Sequence, residues 1–189
     1  MNKDDSYRNL DRVNNWISNC DTKTSFILAF IGVFAGILFT SNLISNIFTK
    51  ILKALSELKL EYIQGTLSIF SFLSLIFFIF FLSKGTIKLL NALTANINIF
   101  EDEDFVTNSN LFFGSISTKN FQDFRQEINQ LSEEDLLKDI DSQTYINSII
   151  CTIKFKNYNA GIKNIKYSLL FFLILIILEF LNKTITIFI

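Results

Sequence analysis

Three runs of apolar residues, 25–43, 63–83 and 167–189, set the terms on which this chain can fold. A bilayer core takes about 20 largely apolar residues per spanning helix, and each run has that length. A backbone in hydrocarbon must satisfy its own hydrogen bonds, so such runs span as helices. Between the second and third runs, residues 84–166 stay polar. The pattern predicts an all-α, multi-pass membrane protein with about three transmembrane helices. Its parts are an N-terminal segment (1–24), a first span (25–43), a short loop (44–62) and a second span (63–83). A helical module (84–166), continuous with the second and third spans, precedes the last span (167–189). The first run is longer than a signal-peptide core and follows about two dozen residues of mixed charge, so it reads as an uncleaved helix.

Composition narrows the chemistry. Phenylalanine supplies 22 of 189 residues and proline is absent, which suits long unbroken helices. Histidine is also absent, removing the commonest general base, the Ser-His triad and most zinc sites. Cys20 and Cys151 have no CxxC spacing and read as free thiols. No nucleophile-base pair, metal cluster or phosphate loop is legible, so an enzyme is the least supported class and neither a metal nor a cofactor is expected. A net charge of −1 gives no basic excess for nucleic acid.

Lys3, Arg8, Arg12 and Lys23 precede the first run, and Lys84, Lys88, Lys163 and Lys166 flank the polar module. The positive-inside rule puts both regions in the cytoplasm and the 44–62 loop and carboxyl terminus outside, although that loop carries Lys50, Lys53 and Lys59. Gly32 and Gly36 form a GxxxG pair that admits a close helix neighbour, within one protomer or between copies. Glu179 interrupts the third run. With Lys183 four residues on, it reads either as a structural ion pair or as a pore-lining or oligomer-specifying charge.

In the module, the acidic stretch 101–104 lacks the layout of a calcium loop and reads as a solvated turn. The apolar stretch 110–116 is a core plug or a ligand-facing loop, in which Phe113 is apolar and Gly114 permits close backbone approach. A short helix is expected from Ser117 or Thr118, with Phe121, Phe124, Ile128 and Leu131 on one face. Ser132 with Asp135 approximates a capping box opening a longer helix. Leu136, Ile140, Ile146, Ile149, Ile150 and Ile153 extend its apolar face, and Gly161 is the one interruption before the third span. Gln143, Asn147, Lys154 and Tyr158 fall within about 60° on a helical wheel. Amide, ammonium and phenol can read a base edge, neutralise a phosphate and stack on a ring. An ordinary solvated face explains the same stripe.

The segment from Trp16 through Asp21 and Lys23 to Ser25, the 110–116 stretch, the series from Leu136 to Tyr145, and then Lys154, Tyr158 and Ala160 occur in an order that resembles the transmembrane effectors of Pycsar, the bacterial pyrimidine cyclase system for antiphage resistance (PycTM). The resemblance covers nearly the whole chain, although Cys20 stands where the family usually has a small apolar residue. It implies an inner-membrane effector that responds to cyclic UMP or cyclic CMP, made by a partner uridylate or cytidylate cyclase, by impairing the bilayer and causing abortive infection. Under it, Phe113, Gly114, Gln143, Asn147, Lys154 and Tyr158 are candidate ligand contacts. Asp21, Lys23, Gly32, Gly36 and Glu179 are candidates for coupling to the membrane or to a homo-oligomer. A membrane-anchored scaffold docking a protein partner and an autonomous holin-like pore-former remain the alternatives.

Overall fold

The computed structural model describes residues 3–56, 62–94 and 108–188, in which the regular structure is entirely helical. The elements are α1 (Lys3–Thr40), α2 (Leu43–Ser56), α3 (Tyr62–Leu93), α4 (Phe113–Thr118), α5 (Phe121–Gln130) and α6 (Glu133–Phe188). The three longest, α1, α3 and α6, are apolar and long enough to cross a bilayer. The acidic stretch 101–104 lies outside the described residues.

The chain divides into a polar unit (Met1–Lys23 and Ala92–Lys156) and a membrane unit (Thr24–Asn91 and Asn157–Ile189). The membrane unit buries small polar side chains between its helices beside its apolar clusters and turns large apolar side chains outward. Phe26, Phe30, Phe70, Phe80, Leu173 and Phe180 are exposed, while Ser68, Ser71, Ser74, Ser168 and Asn182 are buried. Water would reverse that distribution; a hydrocarbon solvent favours it, because polar groups there must find partners between helices. Ser74 Oγ donates to the Phe171 carbonyl at 2.8 Å, Ser168 Oγ to the Phe78 carbonyl at 3.2 Å, and Asn182 Nδ2 to Ser68 Oγ at 3.2 Å. Rising residue numbers on α3 meet falling numbers on α6, so the two helices run antiparallel. Around them Leu38, Ile47, Leu75, Phe78 and Leu175 form one apolar cluster and Ile31, Leu89 and Ile165 another.

The backbones of α3 and α6 approach closely at glycines other than the GxxxG pair. A Cβ added at Gly161 would meet Leu89 Cγ at 2.7 Å and the Gly85 carbonyl oxygen at 3.2 Å, whereas nothing lies within 4 Å of one at Gly32 or Gly36. Gly161, expected to interrupt α6, instead lets α6 continue against α3. The segment read as a short loop carries α2, whose Ile47 is buried and whose Leu43 and Ile51 pack on the first cluster, with Phe48 and Leu52 outward. Hydroxyls end α1 before it: Thr40 Oγ1 donates to the Ile37 carbonyl and Ser41 Oγ to that of Leu38, both among the last four acceptors of the helix. Glu179 pairs with Lys50 of α2 at 2.5 Å rather than with Lys183. A partner from another helix fixes α2, which a neighbour on the same helix cannot do.

Candidate functional site

The polar unit is organised by α6. Ser132 caps its start: Ser132 Oγ accepts from the Asp135 backbone N–H at 3.1 Å and donates to its carboxylate at 2.6 Å. The N-cap half of the expected box is therefore present, while the Asp135 carboxylate takes the Ser132 hydroxyl. The preceding helix starts at Phe121, not at Ser117 or Thr118, because Asn120 takes the cap position and its side chain accepts from the Asp123 N–H.

Two polar pairs dock α1 on α6. Asn147 Nδ2 donates to Asn14 Oδ1 at 2.9 Å, and Lys154 Nζ pairs with Asp21 Oδ1 at 2.6 Å. Both pairs span 133 positions, so the helices run parallel in one register, with successive pairs one heptad apart. That is how polar residues in a helix seam specify alignment. Trp16 and Phe155 meet edge to face at 6.1 Å in the same seam. The Lys154 ammonium also donates to the Ala92 carbonyl at 2.9 Å, so it ties α1, the last turn of α3 and α6 together. Lys154 is 7% exposed, while the Asp21 side chain is 38% exposed. The charge is thus held by a partner that still reaches water. Burial pushes the nearby Cys151 thiol above its ordinary pKa, and the Lys154 charge partly offsets this.

The stretch before α4 is pinned at several points. Ser109 is fully buried, and its Oγ accepts from the N–H groups of Leu111 and Phe112. Asp139 of α6, 3% exposed, accepts from the Asn110 N–H at 2.8 Å. Lys119 donates to Asn110 Oδ1 at 2.7 Å and pairs with Glu127 at 2.5 Å. A Cβ at Gly114 would run into the Phe112 ring, which would have to turn aside. Phe113 stacks obliquely on Phe112 at 4.8 Å and is otherwise exposed.

The stripe read from the sequence is therefore not one open surface. Lys154 and Asn147 face α1, Gln143 is 8% exposed, and Tyr158 packs with the Ile31, Leu89 and Ile165 cluster of the membrane unit. Lys23, Gly32 and Gly36 are exposed. Asp21, read as a coupling residue, and Lys154, read as a ligand contact, are brought together. Sequence reasoning missed Asn14, Asp139, Lys119 and Glu127 as partners. The seven-residue spacing shared by Asn14 with Asp21 and Asn147 with Lys154 was the available signal.

On another side of α6, Glu134, Lys138, Asp141, Ser142 and Tyr145 line an open cavity of about 480 Å³. At about 100° per residue, Lys138 and Tyr145 lie roughly opposite Asn147 and Lys154 around the helix.

A Pycsar effector protein domain, PycTM, matches residues 5–181. The Pycsar effector protein GmPycTM of Gulbenkiania mobilis is 37% identical over 182 residues, which covers 92% of this chain and 90% of that protein. No solved structure matches the chain.

Proposed function

Because the chain belongs to the PycTM family of Pycsar effectors, proteins of antiviral defence, we propose that it senses a cyclic pyrimidine mononucleotide, cyclic UMP or cyclic CMP, made by a partner cyclase, and responds by impairing the integrity of the inner membrane, causing abortive infection. The N-terminal segment and residues 84–166 face the cytoplasm in this reading, where the nucleotide is made. The observation that carries the output half is the membrane unit, with serines and Asn182 buried between its helices and Phe26, Phe30, Phe70 and Phe80 turned outward. Such a helix set holds polar groups that a rearrangement would bring against lipid or water.

The Lys154–Asp21 pair is the resting clamp. Both α1 and α6 contribute residues to the polar unit and to the membrane unit, so a change at this clamp passes along continuous helix. Turning a population from about 1% to 99% active takes roughly 5.5 kcal/mol of differential binding. Assembly spreads that requirement over several sites, and the open faces of Gly32 and Gly36 suit a homo-oligomer contact.

The test is dye release from liposomes containing the purified protein. Release on adding cyclic UMP or cyclic CMP, and not cyclic AMP or cyclic GMP, is expected. Folded protein that leaves vesicles tight with every nucleotide, or that leaks equally without any, would overturn the reading.

A further inference from the structure

Three different surfaces run along α2. Leu43, Ile47 and Ile51 face the bundle, with Ile47 only 1% exposed. At about 100° per residue, Phe48 and Leu52 fall together on one flank of that inward face, and Asn46, Thr49 and Lys50 fall on the other. The first flank is open and apolar, Phe48 being 49% and Leu52 67% exposed. On the second, Asn46 and Thr49 are exposed. An inward face for protein, one flank for hydrocarbon and the opposite flank for water describe a helix lying at the boundary between the two solvents. Length agrees, since its 14 residues rise about 21 Å, short of the ~30 Å hydrocarbon core.

We infer that α2 is an interfacial helix, lying along the bilayer surface at the Thr40 end of α1, with Phe48 and Leu52 seated in lipid at the headgroup–acyl boundary and Asn46 and Thr49 turned to water; this holds whether or not a nucleotide is the signal. Two contacts moor it. Phe48 meets Phe72 of α3 edge to face at 5.9 Å, and Lys50 pairs with Glu179 of α6. Phe72 and Glu179 each stand about one turn from the Ser68–Asn182 contact, so both moorings lie at the same end of the spans. There Phe48 and Leu52 continue the apolar exterior formed by Ile69, Phe70 and Leu73 of α3, which identifies lipid as the occupant of the open flank. Lys50 keeps 38% of its side chain exposed, as an ammonium at headgroup level does. A helix seated in one leaflet occupies area in that leaflet alone, so displacing α2 from its moorings changes lipid packing on one side of the bilayer.

Quenching of tryptophan fluorescence by brominated lipid tests this. Trp16 is the one tryptophan of the chain, so Trp16→Phe gives a silent background into which Phe48→Trp, Leu52→Trp, Asn46→Trp and Leu173→Trp are placed singly, Leu173 being exposed on the α6 span. Each full chain, its far-UV spectrum matching wild type, is reconstituted in phosphatidylcholine vesicles brominated either close to the headgroup or deep in the acyl chains, with acrylamide as the aqueous quencher. Phe48→Trp and Leu52→Trp should be quenched roughly twofold or more strongly by the shallow bromines than by the deep ones, Asn46→Trp chiefly by acrylamide and Leu173→Trp chiefly by the deep bromines. Leu52 is the more exposed of the two apolar positions, so Leu52→Trp carries the result if Phe48→Trp disturbs the Phe72 contact. Stronger quenching of Leu52→Trp by the deep bromines would mark a segment that enters the core, quenching by acrylamide alone a loop in water, and protection from every quencher a contact with a second copy of the chain; each overturns the assignment. Equal lipid quenching of Asn46→Trp and Leu52→Trp overturns it as well, because the two flanks would then meet the same solvent.

Discussion

Removing the two members of the Lys154–Asp21 pair should cost unequal amounts, because the two charges are unequally buried. Asp21→Ala leaves the Lys154 ammonium, 7% exposed, donating to the Ala92 carbonyl with no carboxylate beside it. Breaking a buried pair by deleting one member costs about 3–5 kcal/mol. Because the Asp21 side chain is 38% exposed, water can enter where it stood, which lowers the expected cost to about 2–3 kcal/mol. Lys154→Met keeps the apolar stem and removes the charge, leaving an aspartate that water already reaches. Its expected cost is about 1 kcal/mol, near the upper range for exposed pairs. The double variant has no charge left to desolvate and should resemble Lys154→Met, giving a coupling of about 2–3 kcal/mol in magnitude.

Thermal unfolding followed by far-UV circular dichroism in a single detergent reads these differences. At roughly 2–4 °C per kcal/mol for a chain of this size, Asp21→Ala should melt about 5–10 °C below wild type and Lys154→Met about 2–4 °C below it. The ordering should persist in high salt, since screening acts on exposed charges far more than on buried ones. Equal losses from the two single variants, or losses that add in the double variant, would show that the burial of the ammonium does not set the cost.

Other substitutions test individual contacts. Gly161→Val should destabilise by about 1–3 kcal/mol through overpacking against Leu89 and the Gly85 carbonyl, and wild-type melting would contradict the close approach of α3 and α6. Lys50→Ala should lower the melting temperature, because Glu179 is left part-buried without its cation, whereas Lys183→Ala should not; the opposite ranking would restore the same-helix pair. Ser132→Ala should cost about 1 kcal/mol and accelerate amide exchange in the first turn of α6, with unchanged exchange counting against the cap. Cys151 should be alkylated slowly near neutral pH, since its raised pKa keeps the thiolate scarce, and its rate should still be climbing with pH beyond the ordinary thiol range. In Lys154→Met the rate should fall further, because the removed cation lowers that pKa.

Helix class and the presence of three helices long and apolar enough to span were legible because a run of about 20 apolar residues has few other destinations. Helix partners were harder to read. A four-residue spacing made Lys183 the evident partner of Glu179, yet the third dimension supplied Lys50 from 129 positions away. Gly32 and Gly36 carry the sequence signature of close packing, while the glycines that meet, Gly85 and Gly161, lie on different helices and so share no local motif.

The polar stripe on α6 illustrates a deeper limit. A helical wheel shows which residues share a face and is silent on where that face points. Gln143, Asn147 and Lys154 look solvent-facing by residue type, because amides and ammonium groups are usually exposed. The opposite orientation becomes favourable only because α1 supplies Asn14 and Asp21 at the same seven-residue spacing. Asn147 and Lys154 then each meet a partner in the seam, and mismatched registers are penalised by an unpaired charge. Once that face is committed to the seam, the residues left facing solvent are those around the helix from it, Glu134, Lys138 and Asp141 among them. The division of α6 into a seam face and a solvent face thus follows from the register of α1, which supplies the partners that residue type alone does not reveal.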